Sequence, residues 1–531
     1  MEMYGMIQGI EQKGERNVLN SANICMIITI VAYLAIVVAI GISCSKKNKT
    51  TDDFYLGGRK LGPFVTAMSA EASDMSSYLL MGLPGLAYIS GIADVGWTAI
   101  GLAVGTYVNW LIVARRIRLY THHVNAITIP EFFSKRFGDS RHVLTAIAAV
   151  VILIFFVPYT ASGFAACGKL FSSLFGMDYT AAMVVSAIVI VVYTTLGGFL
   201  AASTTDFIQS IIMTIALIIM IFFGISVAGG VDAVMENAQA LPGYLSMTLT
   251  HDMASGTANP YGPITILSTL AWGLGYFGMP HILLRFMAIE DENKLKLSRR
   301  VASLWVVIAM AIAVAIGVIG YAASQAGAIE VLEGSASETV IVKLAGLLST
   351  HGVLAALTAG LVIAGILACT MSTSDSQLLA AASSVSQNLM AECFHVKMDE
   401  KKKVVAARLT VVVIAVIGIF LARDPDSSVF GIVSFAWAGF GAAFGPVMLF
   451  SLFWKRTNQW GALAGMLSGG VMIFLWKYAV RPLGGVWNIY ELLPAFLVSC
   501  LCIVIFSLVT KAPEREITDC FEEVAKLVKR K

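Results

Sequence analysis

The chain has 531 residues, of which 58% are hydrophobic and only 13% charged, with a mean hydropathy of +0.81. Soluble chains carry about 25% charged residues, so a water-facing globular surface is excluded. The formal net charge of +3 gives no clustered basic face for nucleic acid.

The first apolar run begins near Ser21. It has the length of a bilayer-crossing helix and lacks the basic leader and small-residue cleavage site of a signal peptide. Further apolar stretches fall near 63–90, 95–114, 143–172, 180–199, 204–229 and 262–286. The rest lie near 301–323, 352–387, 404–422, 428–454, 458–478 and 489–509. With the first run, near 22–44, these predict an all-α polytopic membrane protein of about thirteen spans. Spans 2 (63–90) and 9 (352–387) are too long and too polar to be plain lipid-facing helices.

Basic connections such as KKNKT, ARRIR, NKLKLSRR and KMDEKKK fall on one side if the spans alternate. Roughly 29 of the 36 Lys and Arg lie there, which marks it as cytoplasmic. The reading is a multi-pass plasma (inner) membrane protein with its N-terminus outside and its C-terminus inside. A tail (1–21), one membrane domain (22–510) and a cytoplasmic tail (511–531) follow from it. AVMENAQ and EVLEGSASE read as solvated outside loops. No GxxxxGK[ST] phosphate loop occurs, so ATP is not an expected partner. The eight cysteines show no metal-type spacing and read as packing residues.

Lipid offers no hydrogen-bond partners, so broken or polar backbone marks a cavity or a protein-buried site. Four stretches qualify. SAEASDMSSYLLMGLPG (69–85) carries Glu71 and Asp74 ahead of Gly82, Pro84 and Gly85. AWGLGYFGMPH (271–281) spaces three glycines before Pro280. ILACTMSTSDSQLL (366–379) crowds hydroxyls around Asp375, and GGFLAASTTDFIQS (197–210) holds Asp206. The first two lie five spans apart, which divides the core into inverted units, spans 2–6 (about 63–229) and 7–11 (about 262–454). Secondary transporters use this design, with cation and solute held where broken helices meet. Hydroxyls at Ser372 and Thr373 and carbonyls at Ala72 and Met75 suit a hard monovalent cation such as Na⁺.

GGRKLGPFVTAMSAEASDMSSYLLMGLPG, WGLGYFGMPHILLRFM, ILACTMSTSDSQLL and SFAWAGFGAAFGPVMLFS resemble the sodium/solute symporter family, over about Asp52 to Leu508. The resemblance implies a LeuT-like five-plus-five inverted repeat and Na⁺-coupled uptake of a small solute by alternating access, with L-proline the expected substrate. Pantothenate, sialic acid or another amino acid is the alternative. It implies Na⁺ as coupling ion and no organic cofactor. The sodium ligands would be the carbonyls of Ala72, Met75 and Cys369 and the hydroxyls of Ser372 and Thr373, with Asp74 in support. Ser76, Ser77, Tyr159, Trp272, Tyr276 and Pro280 would line the substrate site, and Arg59 would stand at the cytoplasmic mouth of span 2. Asp206 and Asp375 would frame a second cation site or an exit route.

The chain departs from the family pattern at several of these places. Ser77 and Glu71 stand where Gly is expected, Tyr78 replaces Trp, Met279 replaces Gln, Cys369 replaces Ala, and Asp375 replaces a small residue. Glu71 has a second reading near the inner mouth, paired with Arg59 or Lys60. Ser372 and Thr373 can also be read as packing hydroxyls, and Trp272 with Tyr276 as a packing stripe. A channel needs symmetric rings of ligands, which one inverted-repeat chain does not supply. A transporter-like solute sensor would be expected to carry a signalling domain. An enzyme would need a nucleophile–base pair or metal constellation, and none appears.

Overall fold

The computed structural model describes residues 21–45 and 50–529. The expected tail 1–20, the basic residues Lys46, Lys47 and Lys49, and the terminal Arg530 and Lys531 lie outside the described residues.

Among the described residues, ten helices are long and apolar enough to cross a membrane, from Ser21–Cys44 to Leu492–Val509. Two expected spans fall outside that set and two others are counted together, each for a visible reason. Span 2 is divided into Pro63–Ser77, a π-helical turn Tyr78–Gly82, and Leu83–Ser90. Span 7 is divided into Pro263–Leu270, a 3-10 stretch Ala271–Phe277, and Pro280–Ala288. Expected spans 5 and 6 are two helices that meet at a kink within Tyr179–Val227, with no loop between them. The chain turns at Gly198 (φ 61°, ψ −163°), a conformation essentially reserved for glycine.

Span 9, Val353–Ser383, lies at the centre. From Val362 to Ser383 every residue is buried, and it packs on Ser21–Ser45, Pro63–Ser77, Val143–Phe175 and Tyr179–Val227. Helices in lipid lack a hydrophobic drive to associate and rely on close approach of small residues. Gly360 lies against the backbone of Met26, Gly365 against Ala216, and Gly163 against Ser374.

The start of the first broken span and the end of the second are joined by backbone. Leu61 N–H donates to Ala288 O at 3.1 Å, and Glu290 N–H donates to Leu61 O at 3.0 Å. Each half of the repeat therefore enters the core from a shared anchor.

The loops expected to be solvated are structured instead. AVMENAQ lies in the helix Val231–Ala240, ahead of a hairpin pairing Leu249–Asp252 with Thr257–Pro260. In EVLEGSASE, Glu338 is buried and meets Lys169 Nζ at 3.0 Å. It also accepts from Val429 N–H (3.2 Å) and Phe430 N–H (3.1 Å). A carboxylate at those free donors caps the helix Val429–Phe453 and complements its dipole. The C-terminal segment forms an amphipathic helix, Arg515–Lys529, whose Phe521 meets Tyr120 at 6.5 Å between ring centres.

Candidate functional site

The first break falls at Ser76, ahead of Gly82, Pro84 and Gly85. Ser76 holds φ 47° and ψ −170°, which costs a side-chain-bearing residue about 1–3 kcal/mol. The chain then resumes through the π-turn, and Pro84 sits harmlessly in the first turn of Leu83–Ser90. Gly85 serves packing: a Cβ there would come within 2.8 Å of the Glu338 backbone.

Strain at Ser76 turns the end of the first half-helix toward span 9. Ser372 Oγ donates to Ala72 O at 2.8 Å and to Cys369 O at 3.1 Å. Thr373 Oγ1 donates to Cys369 O at 3.3 Å. The Cys369 thiol donates to Ser76 O, and Met75 O accepts the Tyr78 N–H on the same turn. The five residues expected to hold a cation are thus gathered at one junction, none more than 2% exposed. All five contribute oxygen, the donor type a hard cation prefers.

Asp74 faces the second break. Tyr276 O–H donates to Asp74 Oδ2 at 2.5 Å, while Asp74 Oδ1 and Ser77 Oγ are buried without a hydrogen-bond partner. Ser76 Oγ accepts the Tyr78 N–H at 3.2 Å.

The second break is shaped by its glycines. A Cβ at Gly273 would run into the Gly101 carbonyl, one at Gly275 into the Trp437 indole, and one at Gly278 into the Phe440 carbonyl. Trp272 stacks on Tyr490 (5.0 Å, 16°) and Tyr78 (5.7 Å, 25°). Trp437 Nε1–H donates to Trp272 O at 2.8 Å and its ring meets Tyr276 edge-on at 5.1 Å. Asn109 supports the same stretch by donating to Tyr276 O at 3.1 Å. Pro280 opens the following half-helix. Tyr159 is buried on Val143–Phe175, one turn from Phe156, whose ring lies 5.5 Å from His281. Trp437 and Tyr490 were absent from the sequence expectation. Trp437 lies in the SFAWAGFG motif, whereas nothing around Tyr490 signals a role.

Asp206 and Asp375 lie in one buried network built around Arg285, a residue the sequence reading passed over. Arg285 Nη2–H donates to Asp206 Oδ2 at 3.1 Å and to Ser376 Oγ at 2.5 Å, and Nε–H to Ser69 Oγ at 3.0 Å. Ser69 O–H donates to Asp206 Oδ2 at 2.6 Å. Asp375 accepts from Tyr193 O–H at 2.6 Å and from Ser376 O–H at 2.9 Å. The network joins both broken spans to spans 6 and 9. A charged residue in an apolar run was the available signal for Arg285.

Glu71 does not pair with Arg59 or Lys60. It is buried, and Trp110 Nε1–H donates to its Oε1 at 3.0 Å. Arg59 instead donates to carbonyls at helix ends, Met287 O at 2.9 Å and Ala126 O at 2.6 Å. Burial pushes its guanidinium down to about 10, so it stays charged near neutral pH and holds the C-terminal ends of spans 3 and 7 together.

The profile of the sodium:solute symporter family matches residues 54–469. A sodium/proline symporter of Haemophilus influenzae is 42% identical over 95% of this chain and 98% of its own length. The sodium/proline symporter of Escherichia coli is 40% identical over 94% and 96%. The osmoregulated proline transporter OpuE of Bacillus subtilis is 40% identical over 95% and 99%. Among solved structures, a substrate-bound, outward-open Na⁺-coupled sialic acid symporter superposes with a TM-score of 0.75 at 17% identity, covering 92% of this chain and 99% of that one. Mhp1, a nucleobase–cation symporter, gives 0.52 at 13% identity, covering 89% and 95%. The fold is the LeuT-like five-plus-five arrangement that the family resemblance implied. The chain belongs to the sodium:solute symporter family.

Proposed function

We propose that this protein imports L-proline in symport with Na⁺ by alternating access. The carrying observation is the Ser372–Ala72 contact of 2.8 Å, which brings two of the proposed oxygen ligands together across the first break. Sodium would sit among the oxygens of Ala72, Met75, Cys369, Ser372 and Thr373. Asp74 would balance the charge from the next turn without ligating. The substrate would lie between the breaks, where Trp272, Tyr276, Ser76, Ser77, Tyr159 and Pro280 are all buried. Identities of 36–42% to proline transporters support proline, and the apolar methylenes of a pyrrolidine ring suit the aromatic wall of Trp272 and Trp437.

Coupling follows from the shared residue. Tyr276 bonds Asp74 across the breaks, so a cation that fixes the first break also fixes one wall of the solute site. Each ligand then raises the affinity for the other by the same factor. In this reading the inner face opens when the contacts at Leu61–Ala288 and Arg59–Met287 part. Asp206 and Asp375 would frame a second cation site or an exit route, with the Arg285 guanidinium bonded to Asp206. The proposed orientation has thirteen crossings, the two broken helices and the two limbs of the Gly198 bend included. The N-terminus is outside and the C-terminus cytoplasmic.

Equilibrium binding of radiolabelled L-proline to the purified protein, in Na⁺ and in K⁺, tests the reading. Binding in Na⁺ that excess unlabelled proline displaces, and little in K⁺, is expected. Equal binding in both salts would remove the coupling.

A further inference from the structure

Beyond the transport core, a cavity of about 380 Å³ opens between spans 3 and 8 at the end where Arg115, Lys296 and Arg299 cluster. Its lining also includes Trp110, Leu111 and Glu292. Three cations against one carboxylate leave a net positive pocket. Neither Lys296 nor Arg299 lies within ion-pair distance of a carboxylate among the described residues. Arg299 Nε is buried without a hydrogen-bond partner, and its guanidinium is held over the Tyr107 ring at 5.3 Å. An oriented guanidinium with an unused donor is an anion-recognition element, suited to the oxygens of a phosphodiester.

The surroundings identify where such an anion comes from. Arg299 begins the apolar part of span 8, and Arg115 closes that of span 3. Above them both helices present lipid-facing side chains: Val104, Tyr107 and Leu111 on span 3, Leu304 and Val307 on span 8, all more than 40% exposed. A charged pocket directly below an apolar groove matches a molecule with an anionic head and acyl chains. Basic pockets between transmembrane helices at the membrane surface bind such headgroups. The floor of the pocket is Trp110, in a π-helical turn Asn109–Val113, a helix irregularity common at functional sites.

We propose that this pocket binds the headgroup of an anionic phospholipid. The inference depends on where the spans end, and not on the transported solute or on which face is cytoplasmic. The full chain in nanodiscs of mixed phosphatidylglycerol and phosphatidylcholine, followed by native mass spectrometry, tests it. The wild type should retain phosphatidylglycerol preferentially. K296Q/R299Q should lower that preference about 30-fold, at roughly fivefold per charge, while K343Q, far away near Glu330, leaves it intact. Equal retention by the double variant would overturn the proposal. So would a wild type without preference, which decides the matter even if the variant does not fold. Displacement of the lipid by inorganic phosphate alone would reassign the pocket to a soluble anion and overturn the lipid.

Discussion

The two broken spans hold equivalent places in the repeat, yet they break by different means. The first breaks at a single strained residue, Ser76, which leaves carbonyls facing the hydroxyls of span 9. The second breaks over a 3-10 stretch whose glycines lie against backbone and indole, and it presents rings rather than carbonyls. In the proposed reading one break serves a small hard ion and the other the apolar face of a solute. A tyrosine and an aspartate, Tyr276 and Asp74, connect them.

The largest effect should come from the Arg285 network that ties the two half-helices together. Arg285→Met leaves Asp206 buried without its cation, and loss of one partner of a buried pair costs about 3–5 kcal/mol. Thermal unfolding in detergent should drop sharply, and adding Asp206→Asn should restore part of the loss. Equal stability of the single variant would mean that the network does not hold the breaks together.

Gly275→Ala drives a methyl group into the Trp437 ring, an overpacking worth about 1–3 kcal/mol. Stability and proline affinity should fall together, because the aromatic wall must move. A normal proline affinity in this variant would detach that wall from the substrate.

A pair of smaller changes divides the breaks by function. Ser372→Ala should weaken apparent sodium affinity about tenfold, the effect of roughly 1.4 kcal/mol, with proline affinity at saturating sodium little changed. Tyr276→Phe removes a bond to a charged group, worth about 1.5–3 kcal/mol in place, and should raise the proline KM more than that for sodium. Identical profiles from both would erase the distinction between the sites. The smallest shift is expected from Ser76→Gly. Relief of strain should raise stability by about 1 kcal/mol, whereas a clear loss would show that the side chain matters more than the backbone.

Much of this was readable in the sequence because lipid penalises polar residues without purpose. Asp74, Ser372 and Thr373 stood out in apolar runs, and the five-span spacing between breaks implied an inverted repeat. Where the break falls was not readable: Gly82 and Pro84 are the usual breakers, but they fit into helix, and Ser76 takes the strain. Arg285 was hidden because its partners Ser69, Asp206 and Ser376 come from three other helices. For Glu71 the sequence offered pairing with Arg59 or Lys60 as one of two readings, while its partner Trp110 arrives from the facing span. Expected spans 5 and 6 meet at Gly198 with no loop between them, the positive-φ glycine supplying the kink. Glu338 looked solvated, although it caps a helix some ninety residues later.

The most direct test of the central claim is uptake of radiolabelled L-proline into proteoliposomes under an inward Na⁺ gradient, with K⁺ in parallel and Asp74→Asn alongside. The account predicts accumulation by the wild type with Na⁺ alone, and loss of that sodium stimulation in the variant. Equal uptake in Na⁺ and K⁺ by correctly inserted protein would contradict it.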